Sequence, residues 1–409
     1  MKISNLRIER HLNLYEGVNL QTRVICDVEC AFCKARELYF SVDDNYGDWL
    51  TADVYDAFLV AALYPAMYYK EPIEVEGCVS KKLYHNILHY VFGLIRDYDS
   101  FLQEIPIHVK GFANAEKLKH LHVGTGFSGG VDSFSTIIDN FENENDLDYK
   151  IDSLFFFHVG QYGNVKNSKT WERAYNRFSI TKNFAVEIGV NAIMMNTNLF
   201  DYYQPHWEYD AGVLCRIASV LIFQKTLKRY YISNACTYKE MAMMNMTDHH
   251  VDLAESADPI IMPLLSPEGL DILCDGAQYS RTIKTQYLSD YILAQKYLNV
   301  CVDTAETHVS ATNCGHCSKC LRTMMALESA GSLEKFNHVF DLQKYKQIAF
   351  LYKCQQVCKY KTDSFARDNI DFARSKGKKL PSKQVAFVVL TFYKFFSLPY
   401  RMLRRLKIK

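Results

Sequence analysis

The sharpest chemical signal in the chain is the segment GFSGGVDSFSTI, Gly126–Ile137. Gly129 and Gly130 can take backbone angles barred to other residues, so that amides crowd toward a phosphate. Ser128 and Ser133 add hydroxyl donors, and a helix opening behind them adds partial positive charge. Asp132 makes sense there if Mg²⁺ bridges it to phosphate oxygens, or if it caps the helix. No Gly-Lys-Ser/Thr follows, so this is not the Walker loop, and the glycine spacing is not that of the dinucleotide fingerprint.

The second signal is CGHCSKCLR. Cys314, Cys317 and Cys320 have C-x₂-C-x₂-C spacing, and Cys301 stands upstream with twelve residues between it and Cys314. Four thiolates in this pattern suit a tetrahedral Zn²⁺ and leave it no open position, which makes the metal structural. Gly315 relaxes the turn, and Lys319 and Arg322 lower the cost of gathering thiolate charge. His316 is a substitute ligand and Cys274 a spare fourth thiolate. An Fe–S cluster is the rival occupant. Cys26, Cys30 and Cys33 repeat a C-x₃-C-x₂-C spacing found in radical S-adenosylmethionine enzymes. Here Arg36–Val42 leads straight into a strand and no barrel follows, so packing cysteines are expected, with a second metal site as the alternative.

These residues need a scaffold. Residues 1–115 mix strand-like pieces (Leu38–Val42, IEVEG, IPIHVKG) with helical ones (Asp53–Tyr69, Lys81–Phe101). They read as an α+β extension with its own small core. From His120 the pattern alternates: HLHVGTG, a helix over Ser133–Phe141, the buried strand Ser153–Gly160, a helix over Thr170–Ile188, NAIMMNTN, a helix over Asp210–Leu227, and YYISN. Alternation with continuous apolar strands predicts an α/β fold with a doubly wound parallel sheet, whose ligands sit at the carboxyl ends of the strands. The expected divisions are 1–115 for the extension, 116–335 for the core with the cysteine cluster, and 336–409 for a basic helical tail.

Lys and Arg number 47 against 46 Asp and Glu, which excludes a globally basic polyanion binder. The distribution is uneven: every acidic residue lies at or before Asp371, and eleven Lys/Arg lie between Ala373 and Lys409. The apolar run Val385–Phe396 within that tail reads as a helix packed on the acidic body, or as a docking helix for a membrane surface, nucleic acid or partner. No apolar run reaches the ~18 residues a spanning helix needs, so no transmembrane segment is expected. Thirteen cysteines and no apolar leader point to a reducing, cytoplasmic setting.

In its strand–turn–helix context, SGGVDS resembles the PP-loop of the ATP pyrophosphatases. That resemblance implies ATP cleavage between the α and β phosphates, adenylation of a substrate and release of pyrophosphate. It implies ATP and Mg²⁺ at Gly126, Phe127, Ser128, Gly129, Gly130, Val131, Asp132 and Ser133. Adenine would lie near His158 and Val159, and ribose near Asn196. Ser128, Asp132 and Ser133 would act in catalysis. Arg281 and Lys284, three apart on a helix-like stretch, would neutralise departing pyrophosphate, with Lys284 the one given a catalytic role. The loop holding His206, Trp207, Glu208 and Asp210 could stack and bond a purine-like base, and His249 and His250 could belong to a lid.

Together, the PP-loop and Cys…CGxCxxC resemble the 7-cyano-7-deazaguanine synthases (QueC) over roughly residues 120–330. That family adenylates 7-carboxy-7-deazaguanine, couples ammonia to give an amide and dehydrates it to the nitrile. Longer QueC-like chains of this shape occur in anti-phage Qat and type IV CBASS operons, the latter joining the deazaguanine to a protein amine. The resemblance thus implies a carbon–nitrogen ligase using ATP, Mg²⁺ and Zn²⁺. Its acceptor would be ammonia or a protein amine, in a homodimer or with an operon-encoded partner. Rival readings are tRNA thiolation (through Cys215, Cys236 or Cys274), sugar amidation, and a nucleotide-sensing module without turnover.

Overall fold

An uninterrupted apolar strand such as SLFFFH is stable only where both faces are covered. In a computed structural model of the chain this segment forms a strand at Ser153–His158, near the middle of a ten-stranded sheet. The structure describes residues 1–14, 19–113, 122–160, 168–203, 212–247, 257–301 and 313–406. The strands are β1 (Lys2–Leu12), β2 (Gln21–Glu29), β3 (Glu37–Asp43), β4 (Ile73–Val79), β5 (Ile107–Phe112), β6 (His122–Gly126), β7 (Ser153–His158), β8 (Asn191–Thr197), β9 (Leu227–Ser233) and β10 (Asp271–Asp275). Their order is β10-β9-β6-β7-β8-β3-β2-β1-β4-β5.

The sheet has two characters. From β10 to β8 every neighbouring pair is parallel. In chain order the strands β6 to β10 take the positions 3-2-1-4-5, the doubly wound order, with β6 at the switch point between β7 and β9. The direction then reverses: β8–β3, β3–β2 and β2–β1 are antiparallel, and β1–β4 and β4–β5 are parallel again. The fold is therefore α/β with a mostly parallel sheet, an antiparallel N-terminal segment and C-terminal helices.

One expectation needs correcting here. Residues 1–115 do not build a core of their own. Val24, Phe40 and Phe58 share one buried cluster with Phe155, Ile193 and Leu221. The reason is the pairing of Phe40–Val42 with Met195–Thr197, which makes the extension a continuation of the sheet. The helix Asp56–Tyr69 is buried from Asp56 through Met67, and it packs on the equally apolar Gly212–Leu221. By packing the chain forms two units. One unit is Met1–Ser128 with Thr136–Gln278, and the other is Gly129–Ser135 with Tyr279–Lys409.

The first unit holds the whole sheet. Gly124 in β6 shows how tightly it is packed, because a Cβ there would lie 2.7 Å from the Phe155 ring and 3.0 Å from the Tyr230 ring. The second unit is helical: Arg281–Tyr287, Ile292–Tyr297, Ser318–Ala330, Leu342–Lys359, Ser364–Ser375 and Lys383–Leu406. Met325, Tyr352, Ile370 and Ala373 form a core there. Asp341 and Asp363 cap the starts of two of these helices through their carboxylates, and Gly331, at φ 77°, ends a third in the left-handed region. Among the described residues no helix is long and apolar enough to cross a membrane.

Candidate functional site

The loop after β6 leaves the sheet at its switch point, where such folds bind ligands. Phe127, where the loop begins, is fixed within the first unit. The Phe127 amide donates to the Phe155 carbonyl (3.0 Å), its own carbonyl accepts from Thr181 Oγ1 (2.8 Å), and its ring stacks on Phe184 at 4.3 Å. The Phe127 side chain is thus an anchor in the core, a role the motif reading did not foresee. Val131 is likewise fully buried. Gly129 takes φ 72°, the left-handed conformation the motif requires, and its carbonyl accepts from the Asn299 amide at 2.7 Å. The helix Val131–Ile137 follows at once, and Ser133 in its first turn is buried.

Asp132 is the second residue of that helix, so it is not the cap. Its carboxylate is ion-paired with Arg281 and lies 3.5 Å from Lys284 Nζ. Burial pushes the Asp132 carboxyl up, but the two cations outweigh it and hold its pKa below the ordinary value. A Mg²⁺ ion at Asp132 would have to compete with these two cations for the carboxylate. Lys284 is fully buried and Arg281 nearly so. Arg322 stands close enough that burial, then the Arg281 charge, lowers its pKa. Its guanidinium lies 3.7 Å from the centre of the Phe365 ring. The half-buried Asp132 carboxylate thus pairs with Arg281 and Lys284, while Arg322 feels its charge together with that of Asp363, and among the described residues the buried Nε atoms of Arg281 and Arg322 have no hydrogen-bond partner. Surplus charge with unspent donors is the physical signature of an anion site.

At the ends of the neighbouring strands, His158 and Asn196 are register partners, and His158 Nδ1 lies 3.2 Å from Asn196 Oδ1. Burial lowers the His158 pKa to about 4, against a weaker upward pull from Asn196. The ring is therefore neutral at pH 7. Asn196 also lines a cavity of about 210 Å³ within the first unit. Trp171 and Tyr175 from the helix Ser168–Ile188 face it, with Gln21, Asp43 and Asn45 contributed by the extension. Sequence reasoning assigned no role to these five. Trp171, Tyr175 and Phe178, at helical spacing, were the available signal. The expected base-binding residues His206, Trp207, Glu208 and Asp210, and also His249 and His250, lie outside the described residues.

The cysteine cluster forms in the second unit. The sulfurs of Cys301, Cys314, Cys317 and Cys320 all lie within 4.8 Å of one another. Cys317–Cys320 and Cys314–Cys320 measure 3.4 and 3.7 Å. A tetrahedral site with metal–sulfur bonds of about 2.3 Å has edges of about 3.8 Å, so the set could hold a single metal ion such as zinc. Sulfurs this close leave no room for an iron–sulfide cluster between them. Gly315, at φ 73°, makes the turn, the Cys317 amide donates to Cys314 Sγ (3.2 Å), and Cys317 Sγ caps the helix Ser318–Ala330. Asn313 ties the distant ligand in, its Oδ1 accepting from the Val300 and Cys301 amides at 2.8 and 3.1 Å. His316 Nδ1 lies 3.0 Å from the Cys314 carbonyl, outside the ligand set.

Cys26 and Cys215 are poorly placed for thiol chemistry. Cys26 is buried in β2, which pairs with β3 as a hairpin, and burial pushes its thiol well up. Among the described residues Cys26, Cys30 and Cys33 form no metal-ligand group. Burial raises Cys215 to about 12, which does not suit a persulfide carrier.

The fold and site together define an α/β protein with a mixed ten-strand sheet and a four-cysteine cluster. Comparison with protein-family models, curated proteins and solved structures gave no match.

Proposed function

We propose that the chain is an ATP-dependent carbon–nitrogen ligase that adenylates the carboxylate of a small heteroaromatic, 7-carboxy-7-deazaguanine by the QueC-like resemblance, and passes the acyl group to an amine. The observation that carries this reading is the SGGVDS loop at the sheet's switch point, with Asp132 surrounded by a surplus of buried cation. In the first step a substrate carboxylate oxygen bonds to the α-phosphorus of ATP. The bond to the bridging oxygen breaks, and pyrophosphate leaves. In the second an amine nitrogen bonds to the acyl carbon and loses a proton, and AMP leaves.

Loop amides with the Ser128 and Ser133 hydroxyls would hold phosphate oxygens, and Arg281, Lys284 and Arg322 would stabilise the charge that gathers on pyrophosphate. Mg²⁺ would enter with ATP and shield its phosphates. Neutral His158 suits the uncharged, adenine side of the nucleotide. The cavity beside β8 has an aromatic wall for stacking a flat ring, and Asp43 offers acceptors for the N–H edge of a guanine-like base. Zn²⁺ on the four cysteines would brace the second unit and take no part in the reaction.

The test is release of pyrophosphate and AMP from ATP by the purified chain, with and without 7-carboxy-7-deazaguanine and ammonium. Release that requires the deazaguanine acid is the expected result. Dependence on ammonium then distinguishes ammonia from an amine on a macromolecule. No release with the acid in either condition removes this substrate.

A further inference from the structure

Cys30 and Cys33 lie in the loop that joins β2 to β3, closed at its base where the Val28 amide donates to the Arg36 carbonyl at 2.8 Å. The two residues between them are clamped. The Ala31 amide donates to a Glu71 carboxylate oxygen at 3.3 Å, and the Phe32 ring stacks on Tyr69 at 4.4 Å. Both cysteines are unbridged and half-buried. The Cys30 sulfur lies 3.9 Å from the Cys33 carbonyl oxygen, and the two thiols act directly on each other. Cys33 is the more engaged of the two. Its sulfur accepts from the Ala35 amide and donates to the Asp201 carbonyl, each at 3.3 Å.

A third group completes the site. Tyr202 is 2% exposed, and its buried hydroxyl has no hydrogen-bond partner among the described residues. Burial, then the Cys33, Cys26 and Cys30 thiols, push its pKa far up, so it remains an O–H donor at neutral pH. An unspent donor beside sulfur suits a thiolate that forms only in passing. We propose that Cys30 and Cys33 form a reversible dithiol–disulfide site that exchanges with small-molecule disulfides. Cys30, the less engaged sulfur, gives up its proton and attacks one sulfur of the disulfide, whose other half leaves as a thiolate and takes up a proton. Cys33, deprotonated and steadied by the Tyr202 O–H, then attacks the Cys30 sulfur and displaces the second half. The protein thereby loses two hydrogens, and the disulfide is reduced to two thiols. Burial raises both thiols above their ordinary value, which makes the exchange slow and the closed bridge hard to reduce. Closure also removes the S–H that Cys33 donates to Asp201, in the helix Phe200–Tyr203 that follows β8.

The experiment treats the full chain with glutathione disulfide, alkylates the remaining thiols and follows the tryptic peptide Val24–Lys34, which carries Cys26, Cys30 and Cys33, by mass spectrometry. The expected product is this peptide less two hydrogens, with fragmentation placing the bridge between Cys30 and Cys33, and dithiothreitol restores both thiols. Cys33→Ser should stop at a glutathione adduct on Cys30. Cys30→Ser should form an adduct on Cys33 more slowly than that. Tyr202→Phe should leave the first step unchanged and slow closure by about tenfold, the effect of one hydrogen bond to a charged sulfur. Circular dichroism of each variant verifies that it is folded. A peptide that stays fully reduced in the wild-type chain overturns the inference, as does a bridge to Cys26 or an adduct that never closes. Closure of folded Tyr202→Phe at the wild-type rate refutes the part given to the phenol.

Discussion

Asp132 is the residue whose removal most sharply tests the reading of the second unit. Its carboxylate is the counter-ion of Arg281 and of the fully buried Lys284, whose Nζ is 3.5 Å away. At an effective dielectric of about 20, one such contact is worth roughly 5 kcal/mol of gross attraction, most of it offset by desolvation. Asp132→Ala forfeits the attraction and leaves both cations buried without compensation, a loss of about 3–5 kcal/mol. Lys284→Met instead removes one of the cations and leaves Asp132 paired with Arg281, and should cost less than Asp132→Ala. The asymmetry is the prediction. Urea titration at pH 7, followed by circular dichroism, reads it: with a slope of about 2 kcal/mol/M, Asp132→Ala lowers the midpoint by roughly 2 M. The pH dependence has a definite sign. The folded pKa of Asp132 lies below its ordinary value of 3.8, so its contribution is present above that value and lost as pH falls through the folded pKa. The gap between wild type and Asp132→Ala should close in strong acid. Equal losses in Asp132→Ala and Lys284→Met would refute the surplus-cation argument. Inorganic pyrophosphate should stabilise Asp132→Ala more than wild type, because the variant has the larger unspent positive charge.

Three further outcomes are expected. The purified chain should carry one zinc by elemental analysis, and Cys317→Ser should lose it together with much of the second unit's helical signal on heating. Asp56 is fully buried, and burial raises its carboxyl to about 6 even though Ser80 and Gln224 bond it. Relative to the unfolded chain it therefore favours the fold below pH 4 and loses that advantage as pH rises through 6. Asp56→Asn should gain up to about 3 kcal/mol over wild type at pH 7, and a gain that does not grow between pH 4 and 6 would sink this account. Trp171→Ala should raise KM for the heteroaromatic acid about tenfold with KM for ATP unchanged, as measured by pyrophosphate release, since one stacked ring contributes ~1–3 kcal/mol.

The core was legible because its signals are local. A buried parallel strand must be apolar throughout, and SLFFFH and NAIMMNT are close to that pattern; a phosphate loop needs adjacent glycines, and Gly129 takes the positive φ that SGGVDS implies. The four-cysteine set was legible for the same reason, three ligands falling in seven residues. Cys301 was harder, because Asn313 rather than spacing holds it in place. The partners of Asp132 were not legible, because Arg281 and Lys284 come from about 150 residues away in sequence.

The extension was misjudged for a physical reason that bears on function. KISNLRIERHL and QTRVICDVE carry many charges and read poorly as strands. Yet β1 and β2 lie inside the sheet, with their charges spent on ion pairs such as Arg7–Asp27 and Arg23–Glu9. Without the extension, β8 would be an open edge of a parallel sheet, a surface proteins ordinarily cover. Pairing β3 on β8 moves that edge out to β5, whose alternating burial and Lys110 suit solvent. The same pairing brings Asp43 and Asn45 to the cavity that Asn196 and Trp171 also line, so the strands that close the edge also complete the cavity. An extension that supplies one wall of a pocket is built to select what enters it. A truncation that removes residues 1–115 should therefore expose apolar core and abolish the pocket together, so specificity cannot be tested by deletion. Point changes at Asp43 and Asn45 are the informative ones. Asp43→Asn, which keeps the size and removes the charge, should weaken the heteroaromatic acid and leave ATP-dependent background hydrolysis unchanged. An equal loss of both would mean that these residues support the fold rather than the pocket.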